Sequence, residues 1–100
     1  MKIEDFLWLK DIIEKLDVKH NVETWEVEEL FRNGPLIRFR YRGDRPGEDV
    51  YTALGQTDAG RYLFAVFIYK PRNQMRRLNL ALVTSARDMD KKERNQYDRR

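Results

Sequence analysis

The sequence predicts an α+β fold of two N-terminal helices, a four-stranded antiparallel meander sheet and a C-terminal helix. Three observations carry it. Apolar residues recur at helical spacing over residues 3–16 and again over 22–31. Four runs between residues 36 and 85 have strand character and are separated by Gly- and Pro-containing turns. A polar stretch of helical character closes the chain, so helices are expected to pack on a sheet. With 100 residues the chain has room for one core, and 1–100 reads as a single domain.

The first stripe is Ile3, Phe6, Leu7, Leu9, Ile12, Ile13 and Leu16, with Glu, Asp and Lys between. Val18-Lys19-His20-Asn21 interrupts it. Val22, Trp25, Val27, Leu30 and Phe31 form a second, shorter helical stripe that stops at Asn33-Gly34-Pro35, because proline cannot continue a helix.

Residues 36–42, LIRFRYR, form the first expected strand. Alternate side chains of a strand point to opposite faces, so Arg38, Arg40 and Arg42 are expected on one side. Two readings fit them: a surface that holds phosphates, or the wet face of an edge strand whose charges discourage unwanted pairing. A loop over residues 43–48 leads to the second strand, 49–56. Thr57-Asp58-Ala59-Gly60 is a tight turn, since Gly60 can take the positive φ that such hairpins need. The third strand, 61–70, is apolar on both faces for most of its length, which places it centrally. Pro71-Arg72-Asn73 opens a turn running through residue 77, and 78–85 is the fourth strand. The closing helix starts near residue 88, with Asp88 or Asp90 as N-cap and Arg99 and Arg100 at the negative end of its dipole.

Hydrophobic residues make up 41% of the chain and charged ones 37%, a balance that supports a folded core and argues against disorder. With no cysteine there is neither a disulfide nor a thiolate site. One histidine excludes a His–His acid/base pair, no cluster has zinc spacing, and no glycine-rich loop joins a strand to a helix. No metal and no cofactor is expected. Acidic residues near the start and the lack of any apolar run of membrane-spanning length point to a cytoplasmic protein with no membrane contact.

The net charge of +3 is unevenly spread. Residues 1–34 hold 5 Lys and Arg against 9 Asp and Glu, whereas residues 35–86 hold 9 against 4. Such asymmetry suits one basic surface facing a polyanion or an acidic partner. Besides the strand arginines, Arg61 opens the central strand, Arg87 ends the last one and Arg94 lies on the closing helix. Guanidinium groups bind phosphate bidentately and can stabilise a pentavalent phosphate, but they cannot act as the base. Tyr41, Tyr62, Tyr69 and the two tryptophans fit core positions as well as base stacking. His20, between two helices, fits a helix-end role as well as catalysis.

Taken in order, Lys19-His20-Asn21-Val22, Glu28-Glu29-Leu30-Phe31, Gly47-Glu48-Asp49-Val50-Tyr51 through Gly55, Gly60-Arg61, and Ser85-Ala86-Arg87 with Glu93-Arg94 and Tyr97 resemble the BrnT toxin family. The match runs from His20 to Tyr97 and rests on order and spacing rather than on any single motif. Two departures stand out. Asn21 replaces a usual glycine, which Asn can do because it also accepts a left-handed conformation. Val50 stands where the family often has arginine, which removes one cation.

The resemblance implies a RelE-like fold and a bacterial type II toxin that cleaves RNA without a metal, inhibiting translation and growth. It also implies a cognate ribbon-helix-helix antitoxin that caps the toxin and binds operator DNA as a complex. Cleavage of that kind is attack of a 2′-hydroxyl on the adjacent phosphate. On the resembling positions Arg61, Arg87 and Arg94 would hold the phosphate, His20 or Glu48 would accept the proton, and Tyr97 would assist the leaving oxygen. Arg38, Arg40 and Arg42 match no fixed motif position and are read as an edge face that steers RNA or antitoxin. The alternative, motivated by Val50, is a binding module of the same fold that holds RNA or protein without cutting.

Overall fold

The computed structural model describes residues 1–100. In chain order the elements are β1 (Asp5–Leu7), α1 (Lys10–His20), α2 (Thr24–Arg32), β2 (Leu36–Tyr41), β3 (Val50–Gln56), β4 (Tyr62–Lys70), β5 (Leu80–Asp88) and α3 (Lys91–Asp98). One five-stranded sheet runs in the order β1-β5-β4-β3-β2, with β4 in the middle. The expected antiparallel meander is its β2–β5 part.

The expected sheet of four antiparallel strands is corrected by β1, which pairs parallel with β5 through Phe6↔Ala81 and makes the sheet mixed. The helix expected over residues 3–16 therefore begins only at Lys10. Ladder formation wins in the first residues because β5 would otherwise end the sheet with open backbone groups. Glu4 and Asp5 N–H groups donate to the Asn79 carbonyl, and the Glu4 carboxylate accepts from the Asn79 N–H.

α1 runs on to His20 and is closed by Asn21 at φ 53°. There the N–H of Asn21 donates to the Asp17 carbonyl and that of Val22 to the Leu16 carbonyl, the paired closure of a left-handed cap. Asn fills this position at little cost where glycine is usual. Gly60, at φ 90°, makes the β3–β4 turn as expected, its N–H donating to the Thr57 carbonyl. β5 starts later than expected and ends later, because Leu63↔Asp88 and Phe64↔Arg87 continue the ladder. Asp88 is thereby inside a strand, and Asp90 caps α3 with a 2.8 Å bond from the Glu93 N–H.

α1 and α2 cover one face of the sheet. Leu16, Val22, Val27 and Leu30 meet Ala53, Leu63, Ala65, Phe67, Ala81, Val83 and Ala86 in one buried cluster. Alanines on the strands let the helices approach closely, and Phe67 fills the space between. Truncating Phe67 to alanine would cost about 3–5 kcal/mol. An aromatic series crosses the same face: Phe6 on Phe31, Phe31 on Phe67, Phe67 on Tyr51 and Tyr51 on Phe39, with centroids 5.0–5.8 Å apart. α3 packs against β3, and its Tyr97 meets Tyr62 edge-on at 5.9 Å. Tyr62 alternates with the core residue Leu63, so α3 stands on the opposite face from α1 and α2, at one end of the sheet.

Candidate functional site

The rest of that second face is open. Pairing register lines up Arg38 of β2, Thr52 of β3, Val66 of β4 and Ser85 of β5 in one row across four strands. The next row along β4 and β5 holds Phe64 and Arg87. These residues, together with Phe39, Arg40 and Glu93, line a groove of about 630 Å³. Its floor offers the hydroxyls of Thr52 and Ser85 among apolar side chains, and three guanidinium groups border it.

β2 does not keep the alternation expected for three arginines. Its register shifts between Phe39 and Tyr41, and the strand ends at Tyr41. The bulge leaves Arg40 out of the ladder, so Arg38 and Arg40 both border the groove, while Arg42 lies past the strand and does not. Arg38 and Arg40 take part in none of the five ion pairs of the chain. Their charge is uncompensated by direct contact.

Arg87 is held from one side only. Its Nη1 and Nη2 donate to Glu93 at 2.8 and 2.9 Å, and Nη1 also donates to the Asp88 carbonyl at 3.0 Å. The guanidinium lies 4.4 Å over the Phe64 ring. Of its five N–H donors, Nε–H and one of Nη2 have no protein partner, and these two form one edge of the planar group. With its side chain 38% exposed, Arg87 keeps a bidentate fork for an anion. Glu93 holds the charge, since its hydrogen bonds push the Arg87 pKa above the ordinary arginine value against the cost of burial.

Arg61 contrasts with this at every point. Its parity with Leu63 puts it on the helix face, across the sheet from Arg87. Nε and Nη2 donate to Asp88 at 2.7 and 3.2 Å, Nη1 to Glu26 at 3.0 Å and to the Asn21 carbonyl at 2.8 Å, and Nη2 to the His20 carbonyl at 3.3 Å. All five donors are used within the fold. The node ties the end of α1, the start of α2 and the end of β5 together. The bonds to Asp88, the largest influence, raise the Arg61 pKa and hold the Asp88 carboxyl below the usual range.

The residues singled out by the resemblance thus stand in several places. His20 ends α1 and contributes its carbonyl to Arg61. Glu48 pairs with Lys70 at 3.3 Å in a loop at the far end of β4, eight ladder positions, or about 26 Å, from Tyr62. Tyr97 is 3% exposed, with the Arg100 guanidinium 3.7 Å over its ring. Arg94 lies 4.0 Å over Tyr62. Of this set only Arg87 lines the groove.

Glu93 is the groove residue that sequence reasoning passed over. It enters the sequence pattern only as part of the Glu93-Arg94 pair, with no role given to it; its spacing of three from Asp90 is a capping-box signal that the structure bears out, and its pairing with Arg87 shows only in the fold. Nowhere do three or more His, Asp or Glu side chains come together as a metal site, and no helix is long and apolar enough to cross a membrane.

A family model described as the ribonuclease toxin, BrnT, of a type II toxin-antitoxin system matches residues 13–93. The matched span includes Arg38, Arg40, Arg87 and Glu93 and stops before Arg94 and Tyr97. No curated protein matches the chain.

Proposed function

The chain belongs to the BrnT family of ribonuclease toxins of type II toxin-antitoxin systems, and from that membership we propose that its sheet groove is where RNA is bound and cut. The family has RNA as its substrate and an antitoxin as its partner. The observation that carries the assignment is that Arg87, with two N–H donors free of any protein partner, lines a groove that Arg38 and Arg40 also border. The whole of residues 1–100 acts as one toxin domain in this reading.

The 2′-hydroxyl oxygen of the bound strand attacks the adjacent phosphorus. The O2′–P bond forms and the P–O5′ bond breaks, leaving a 2′,3′-cyclic phosphate and a 5′-hydroxyl. Glu93, the only carboxylate lining the groove, takes the 2′ proton, and water returns one to the 5′ oxygen. Negative charge on the phosphorane grows against the Nε/Nη2 edge of Arg87 and against Arg38 and Arg40. One such donor set contributes about 10²–10³ in rate, and proton transfer about 10²–10⁴. Side chains and water supply this chemistry, and the cleavage is metal-independent in this reading. Val50 shares the face of Thr52 on the same strand without lining the groove, and the groove keeps three guanidinium groups without an arginine there.

Arg61, with every donor engaged, acts in this account as the brace that fixes the α1–α2 junction against β5. The antitoxin, of ribbon-helix-helix type, caps the groove with acidic groups and carries the pair to operator DNA. Purified protein incubated with a defined RNA, with and without a chelator, tests the reading. Chelator-resistant cleavage leaving cyclic phosphate ends is expected, and binding without any product would instead favour a module that holds RNA uncut.

A further inference from the structure

A second basic concavity lies beyond the groove. The β2–β3 loop and the β4–β5 connection enclose a basin of about 280 Å³ lined by Arg45, Lys70, Arg72 and Arg76, with Glu48 as its one anion and no hydrophobic residue. Lys70 is paired with Glu48, but Arg45, Arg72 and Arg76 are in no ion pair. The walls are fixed. Asn73 accepts from the N–H groups of Met75 and Arg76, Asn79 accepts from that of Arg72, and the Arg76 guanidinium donates to the Pro71 carbonyl at 3.1 Å.

We propose that this basin is a second phosphodiester site that holds the same RNA strand beside the groove; it rests on the groove being the RNA site. Phe64, Val66, Ile68 and Lys70 alternate on one face of β4, so the groove floor leads directly into the basin. From Val66 to Lys70 is about 13 Å along the strand, a distance that one extended RNA strand bridges. A protein partner fits less well, because protein interfaces centre on large apolar and aromatic side chains and this lining offers only Pro46 and Pro71. Uncompensated arginines on a pre-shaped loop match a phosphate backbone.

The test compares a short and a long 2′-O-methyl RNA, about four and about twelve nucleotides, which bind without being cut. Arg45→Gln/Arg72→Gln removes two cations whose side chains make no hydrogen bond in the fold, and adding Arg76→Gln removes the third. The long RNA is expected to lose about tenfold or more in affinity and about 2 in the slope of log K against log salt with all three changed. Binding of the short RNA, and cleavage of a short substrate, stay as in the unaltered protein. If the long RNA binds the variants as tightly as before, the basin proposal is wrong while the groove stands. If the variants keep the long RNA but release the antitoxin, the basin belongs to the protein partner and the proposal is equally overturned. Loss of both probes on Arg87→Ala supports the groove, and retention of both would remove the reading on which the basin rests.

Discussion

The Arg87 guanidinium meets the Glu93 carboxylate through two parallel bonds of 2.8 and 2.9 Å and still keeps one edge free of any protein partner. An ion pair of this form holds the arginine in place without consuming it. That separates Arg87 from Arg61, whose five donors are all used, and leaves a guanidinium with free donors on the sheet face away from α1 and α2.

Replacing Arg38 and Arg40 together by alanine is expected to weaken RNA binding across sequences and to lower the salt slope by about 1.4, two cations at ~0.7 each. Arg42→Ala, outside the groove, should change neither. Anisotropy titrations at several salt concentrations check both.

Glu93→Gln separates proton transfer from helix capping. Glutamine also serves as the third residue of a capping box, so the bond from the Asp90 N–H can persist, while the paired bonds to Arg87 are reduced to one and the melting temperature should fall by several degrees, for a loss of about 1 kcal/mol. The cleavage rate should fall by about 10²–10⁴. A variant that cuts at the original rate removes Glu93 from the reaction.

Arg61→Ala is expected to act on stability. It leaves the Asp88 carboxylate and the His20 and Asn21 carbonyls without a partner, and Glu26 with the Glu23 N–H alone, around a side chain only 25% exposed, at a cost of about 2–3 kcal/mol. For a domain of this size the melting temperature should drop by roughly 10 °C or more. Thermal denaturation measures it, and cleavage by the fraction still folded at low temperature should remain close to that of the unaltered protein.

The Arg61–Asp88 pair sets a pH dependence. Asp88 has its carboxyl lowered by the Arg61 hydrogen bonds, so its stabilising effect is full above the ordinary carboxylate pKa and is lost as pH falls through the depressed one. The gap in melting temperature between the unaltered protein and Asp88→Asn should hold down to about pH 4 and close below it. A gap that closes between pH 7 and 5 would contradict the assignment.

Much of this arrangement is legible in the sequence because it is local. The apolar run of β4 marks the middle strand, Gly60 marks its turn, and Asn21 can replace glycine at a left-handed cap. β1 is not legible, because Ile3, Phe6 and Leu7 continue the helical spacing of Leu9, Ile12, Ile13 and Leu16, and their partners are Leu80–Leu82 at the other end of the chain. The groove is hidden for the same reason. Arg38 reads as a wet edge residue until the register carries its row through Thr52 and Val66 to Ser85. Arg61 and Arg87 look alike in sequence, and only the parity of their strands puts them on opposite faces.

The most direct test of the groove is the single-turnover cleavage rate of Arg87→Ala beside that of His20→Ala, on one RNA and with both variants shown to be folded. His20 keeps its carbonyl, the group that Arg61 uses, when its ring is removed. The groove account predicts a fall of about 10²–10³ for Arg87→Ala and a rate close to the unaltered protein for His20→Ala. An active Arg87→Ala beside an inactive His20→Ala would place the chemistry on the helix side of the sheet and contradict it.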